Sequence, residues 1–229
     1  MGLRGRGVVD YRGLVSALLP LVFSIALASP VAVEAAQAEE YLSPSVATLL
    51  SQAIADRPVP ADYGSREGVA AWVAQMSPRL AQRVADPAER RDLLATVHYE
   101  ATRAGLDPQL VLAVMHHESG FKKYAVSIAD ARGYMQVMPF WTRVIGGAGH
   151  NLFHLRTNLR YGCVILRHYL DRENGDLVRA LGRYNGSLGR VEYPMAVAAA
   201  MRRYEAVASV SFASPVATLP GTLTAVVTR

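Results

Sequence analysis

The sequence predicts an all-α protein. Through the middle of the chain apolar residues recur at steps of three and four, the pairs Asp86-Pro87 and Asp107-Pro108 have the form of helix starts, and no segment in that region alternates as a strand would. With 229 residues of which 51% are hydrophobic, the chain can bury the core of one ordinary domain and still carry accessory segments.

The first residues stand apart from that domain. Arg4, Arg6 and Arg12 precede an apolar run from Leu14 to Ala28, and small residues follow at Val33-Glu34-Ala35 and Ala36-Gln37-Ala38. This order predicts a secretory signal peptide over residues 1–36. The run of about 15 residues contains Pro20 and falls short of the roughly 20 needed to span a bilayer, so no stable membrane span is expected. A lipoprotein needs a cysteine at the cleavage point, and the single cysteine, Cys163, lies far downstream, where it also has no partner for an internal disulfide.

Residues 37–64 are rich in Pro, Ser and Ala and read as a short helix followed by a linker. Residues 65–92 read as accessory helices. Val69, Trp72, Val73 and Met76 share one face of a helix expected to end near Ser77-Pro78. Asp86-Pro87 opens a long helix that closes at Gly105, and Asp107-Pro108 opens another that runs to about Glu118. Lys122 to Arg132 reads as loop, followed by short helical pieces over Tyr134 to Val144. Leu159, Cys163, Leu166 and Leu170 mark a helix over about Leu155 to Asp171, and two more helical stretches cover Asp176 to Tyr184 and Pro194 to Tyr204. Residues 206–228 carry no charge and are mostly Ser, Thr, Pro, Val and Ala, and residues 206–229 are expected to be a loosely ordered tail.

A net charge of +5 and a pI near 9.5 suit a polyanionic partner. The basic residues are scattered, with no run longer than pairs such as Lys122-Lys123, which argues against nucleic acid.

Glu118 is the candidate catalytic residue. At about 100° per residue it shares a face with Val111, Val114 and Met115, and it sits at a helix C-terminus. Desolvation and the negative end of the helix dipole both favour its protonated form, which suits a general acid. A plain alternative is that Glu118 pairs with Lys122 one turn on. The neighbouring His116 and His117 do not make a metal site, because the positions four residues beyond them are Gly120 and Phe121. No metal or other cofactor is expected.

Four motifs stand in order along the chain: Glu118-Ser119-Gly120-Phe121, then Ser127, then Gly133-Tyr134-Met135-Gln136-Val137-Met138-Pro139, then Ala180-Leu181-Gly182-Arg183-Tyr184-Asn185-Gly186. Together they resemble the motifs of the soluble lytic transglycosylases, over about Leu94 to Tyr204. The resemblance implies a lysozyme-like helical catalytic domain over residues 93–205. It makes Glu118 the acid and base, and Ser127 a contact to the acetamido group of the reacting sugar. Gln136, Met138, Tyr134, Tyr184 and Asn185 would line the cleft, with Tyr184 helping to orient Glu118. The substrate would be the glycan strands of peptidoglycan, cut between N-acetylmuramic acid and N-acetylglucosamine to leave 1,6-anhydro ends. An exported enzyme of this kind without a lipid anchor would be periplasmic in a Gram-negative cell. Several of these residues also have plain structural readings: Gly133 as a tight turn, Met135 as core, and Asn185-Gly186 as an ordinary turn. Two positions depart from the family pattern, with Asp130 where Gly is usual and Tyr134 where Leu is usual. Asp130 could be a surface residue, or the second carboxylate of a lysozyme-like hydrolase. A catalytically silent wall-binding module is the other alternative.

Overall fold

The computed structural model describes residues 41–55, 59–147 and 149–205, together with Gln37 and Glu39. The expected signal peptide and the C-terminal tail lie outside the described residues. Eight α-helices are described: α1 (Pro44–Ile54), α2 (Glu67–Leu80), α3 (Pro87–Arg103), α4 (Pro108–Glu118), α5 (Phe140–Val144), α6 (Leu155–Arg172), α7 (Leu177–Asn185) and α8 (Glu192–Met201). A 3₁₀ turn at Tyr63–Ser65 precedes α2. Among the described residues there is no β-sheet, only isolated bridges from Arg132 to Val126 and to Val137. The all-α expectation holds. Among the described residues no helix is long and apolar enough to cross a membrane.

Local chemistry sets the helix starts. Asp86 Oδ1 accepts from the N–H groups of Ala88 (2.6 Å) and Glu89 (3.1 Å), and Asp107 Oδ1 accepts from Gln109 N–H (2.8 Å). In both helices proline fills the first position, where its missing N–H costs nothing. Asp176 caps α7 in the same way, through Arg179 N–H at 3.0 Å. Three boundaries differ from the sequence reading, one of them the end of α8, which stops at Met201 and not at Tyr204. Helix α2 continues through Pro78 to Leu80: the proline forfeits one backbone N–H bond to the carbonyl four residues back, and the full burial of Met76 and Leu80 offsets that loss. Helix α8 starts at Glu192, ahead of Pro194, which its first turn tolerates.

Helix α4 is the centre of the packing. It is buried on every side, since Leu110 through Met115 are all inside, so the one-faced pattern read from Val111, Val114 and Met115 understates its environment. Helices α3 and α8 lie against it, and α6 packs on α3 and α7.

A buried ion pair ties this frame together. Arg160 on α6 forks onto Glu100 on α3, with Nη2 to Oε1 at 2.7 Å and Nε to Oε2 at 3.1 Å, and Arg103 adds a contact at 3.4 Å. The same two guanidiniums donate to the carbonyls of Ala53 and Ala55 at the C-terminal end of α1, satisfying groups that a helix end leaves open.

Candidate active site

Glu118 is the last residue of α4 and is half-buried. The Tyr193 hydroxyl, from the first turn of α8, donates to Glu118 Oε1 at 2.5 Å. Tyr193 is itself buried; desolvation, and after it the charge of Glu118, pushes its phenol well above the usual range, so it acts as a neutral donor. His117 packs edge-on against the Tyr193 ring, with centroids 4.9 Å apart.

Beyond Glu118 the chain reverses through Gly120 and Phe121, both at positive φ. Ser119, the α4 C-cap, holds this reversal: its hydroxyl donates to the Tyr134 carbonyl at 2.7 Å and accepts from Phe121 N–H at 3.1 Å. The end of the Glu118 helix is thereby fastened to the segment that carries the third motif.

That segment is clamped to α6 by Asn158, a fully buried amide. Its Nδ2 donates to the carbonyls of Arg132 and Leu152, both at 2.8 Å, and its Oδ1 accepts from Met135 N–H at 2.8 Å. Gly133 has a φ of 74°, and a Cβ there would meet Asn158 Nδ2 at 2.5 Å and the Leu152 carbonyl at 2.6 Å, so both conformation and space demand glycine. Met135 is wholly buried against Gly162 of α6, where a Cβ would meet its Sδ at 2.3 Å. Of the readings left open for Met135, core is the one observed.

The remaining site candidates divide by what their polar atoms do. Ser127 is half-buried, and its Oγ accepts from Ala131 N–H at 3.1 Å. Gln136 is buried at a φ of 48°, and its Nε2 donates to the carbonyls of Ala125 (3.2 Å) and Gly133 (2.9 Å), bracing the loop that bears Ser127. Tyr134 is buried, and burial raises its hydroxyl to about 12. Met138 is half-buried against the core, and Asn185 is a half-buried residue at the end of α7, followed by Gly186 at positive φ. Tyr184 is buried beside Glu118, whose charge adds to the desolvation that raises its phenol. Its hydroxyl, however, donates to the Met135 carbonyl at 2.7 Å, so the phenol bonded to the glutamate is Tyr193.

Asp130 lies exposed at a φ of 66°, and both its oxygens accept from Arg132, at 2.9 and 3.0 Å. His116 uses both ring nitrogens: Arg83 Nη2 lies 3.2 Å from Nε2 and the Tyr204 hydroxyl 2.7 Å from Nδ1. Arginine can only donate, so Nε2 is the acceptor and Nδ1 carries the proton. Burial, then Arg83, Arg203 and His117, hold its pKa below the ordinary histidine value.

Residues 95–205, which contain Glu118, Tyr193 and all four motifs, match the family model of the transglycosylase SLT domain. Through this stretch the chain belongs to the SLT family. The SLT domain brings with it a lysozyme-like fold, in accord with the all-α architecture. Among relatives, the membrane-bound lytic murein transglycosylase C of Mannheimia succiniciproducens is 39% identical over 66 residues, 29% of this chain and 17% of that protein. The protein of the same name from Histophilus somni is 39% identical over 79 residues, 34% of this chain and 20% of that protein. The match therefore spans a fifth or less of these relatives' length. Among solved structures, an inactive mutant of the lytic transglycosylase Slt from Pseudomonas aeruginosa aligns with a TM-score of 0.39 and 22% identity, over 66% of this chain and 31% of that one.

Two residues that position the site were not singled out in the sequence. Tyr193 stands 75 residues from its partner Glu118, and no local pattern announces it. Asn158 carried a usable signal, a short amide just before the buried residue Leu159 of an amphipathic helix, where it has to be satisfied internally.

Proposed function

We propose that this chain is an exported lytic transglycosylase that cleaves the β-1,4 bond between N-acetylmuramic acid and N-acetylglucosamine in peptidoglycan, with Glu118 as its general acid and then its base. The observation that carries the reading is the Glu118 carboxylate at the end of a buried helix, bonded to the Tyr193 phenol inside an SLT domain.

In the first step protonated Glu118 gives its proton to the glycosidic oxygen, and the C1–O bond breaks with its electron pair leaving on N-acetylglucosamine. The acetamido oxygen of the muramic residue forms a bond to C1 and takes up the developing charge. In the second step the Glu118 carboxylate removes the proton from the C6 hydroxyl. O6 then bonds to C1, the acetamido oxygen leaves, and a 1,6-anhydro ring closes with Glu118 protonated again. No water is consumed. A phenol suits both states of the glutamate, because its O–H donates to the carboxylate and its oxygen accepts from the acid.

Ser127, whose oxygen already accepts from Ala131, has its hydroxyl proton to offer the acetamido carbonyl. Gln136, Met138, Tyr134, Tyr184 and Asn185 would line the sugar cleft, where aromatic faces and amides match the two sides of a sugar ring. Asp130, exposed and held by Arg132, favours the single-carboxylate reading over a hydrolase with two. A cleaved signal peptide would place the enzyme in the periplasm. The test is mass spectrometry of peptidoglycan digested by the protein and by Glu118→Gln. Anhydromuropeptides from the unaltered protein alone support the reading; reducing-end products, or equal activity in the variant, contradict it.

A further inference from the structure

The loop carrying Ser127 has a second face that the proposed reaction does not use. From Lys122 to Asp130 exposed and half-buried residues alternate, through a turn at Lys123–Tyr124, a short extended stretch over Ala125 to Ser127 and a second turn at Ile128–Ala129. Ala125, Ser127 and Ala129 turn toward the domain. Tyr124, Val126 and Ile128 turn to solvent, at 71%, 57% and 98% exposure.

This exposure is not slack. The loop is braced by Ser127 N–H to the Ala131 carbonyl at 3.0 Å, Gly133 N–H to the Ala125 carbonyl at 2.9 Å, and the Gln136 amide. A rigid loop that holds three large apolar side chains in water sets up a binding surface. Ile128, at 98% exposure, projects into solvent from the turn closed by Asp130 N–H to the Ser127 carbonyl at 3.0 Å. That suits insertion into a soft phase better than docking on a second protein, which needs a broader area.

The charge around the tip points to the same phase. Asp130 is balanced by Arg132, so Lys122 and Lys123 give the patch a net positive charge. Lys123 Nζ sits 5.2 Å from the Tyr124 ring centroid, and Phe153 packs 5.8 Å from that ring. Aromatic rings, aliphatic tips and lysines are the composition of a protein surface that lies at a membrane interface.

We propose that this loop seats on an anionic lipid bilayer, with Tyr124, Val126 and Ile128 entering the interface and Lys122 and Lys123 facing headgroup phosphates.

The test places a reporter at the tip of the full chain as Ile128→Trp, an exchange of one exposed apolar side chain for another. The vesicles are phosphatidylethanolamine and phosphatidylglycerol with brominated acyl chains, and the unaltered protein supplies the background from Trp72 and Trp141. Blue-shifted, bromine-quenched emission from position 128 is expected. About tenfold more lipid should be needed in vesicles of phosphatidylcholine alone, or in a Lys122→Glu, Lys123→Glu variant. Attachment through any other segment leaves the emission at 128 as it is in buffer, and that result overturns the proposal even if the protein sediments with the vesicles. A concentration-dependent dimer that Ile128→Ser abolishes would also overturn it, by showing that a second copy covers the loop.

Discussion

Glu100 near the end of α3 has no exposed side-chain surface and faces two guanidiniums, whereas Glu118 at the end of α4 receives the hydroxyl of Tyr193. The two carboxylates belong to consecutive helices packed on each other. Forked guanidinium geometry balances the charge of Glu100 and leaves it a purely structural cross-link between α3, α6 and α1. In the proposed reaction a phenol leaves Glu118 able to exchange a proton, since it can serve the charged and the neutral form in turn. Under the proposed mechanism, the partner supplied to each carboxylate is what separates a strut from a reagent.

The contrast can be broken first at Glu118. Glu118→Gln keeps the shape and removes the proton exchange, so release of soluble fragments from peptidoglycan should fall by about a thousandfold with the helical circular dichroism unchanged. The mirror experiment is Glu100→Gln, which leaves Arg160 buried without its counter-charge. It should lower the unfolding free energy in urea by about 3 kcal/mol while the folded fraction cuts glycan at the normal rate. Equal effects of the two variants on activity would erase the distinction between them.

A smaller change sharpens the comparison. Tyr193→Phe removes the donor and keeps the ring against His117, so turnover should drop by about tenfold. Because that O–H bond favours the carboxylate over the acid, the pH–rate profile should also move to the alkaline side. Tyr184→Phe, whose hydroxyl holds the Met135 carbonyl, should leave the position of the profile in place.

The smallest effect is on stability with pH. His98, His116 and His117 all have pKa values below the ordinary 6.5, chiefly through burial, and His116 also through Arg83. The unfolded chain then binds more protons than the folded one between the folded and unfolded values. Stability should therefore fall as pH drops through 6.5 and level off below the folded values. Melting temperatures measured at pH values on both sides of that window check the sign, and His116→Gln should flatten the slope.

What the sequence made legible was local chemistry. Asp86-Pro87 and Asp107-Pro108 act within a single turn, so the starts of α3 and α4 follow from four residues. Glu118 could be singled out because helical spacing aligns it with Val111, Val114 and Met115. The partners that define its environment could not be read this way: Tyr193 is 75 residues away, and the fork between Arg160 and Glu100 closes across 60. The motif residues were visible as a set, yet their individual duties depend on hydrogen bonds that only the fold assigns. Gln136 is spent on two carbonyls and Tyr184 on a third. Pro78 shows the same limit from the other side, since burial of Met76 and Leu80 outweighs a local stop signal.

The most direct test of Glu118 as acid and then base in a reaction without water is digestion of purified peptidoglycan in heavy-oxygen water, read by mass spectrometry. The account predicts anhydro ends that carry no heavy oxygen. Reducing ends with one heavy oxygen at C1 would mean that water attacks, and would contradict it.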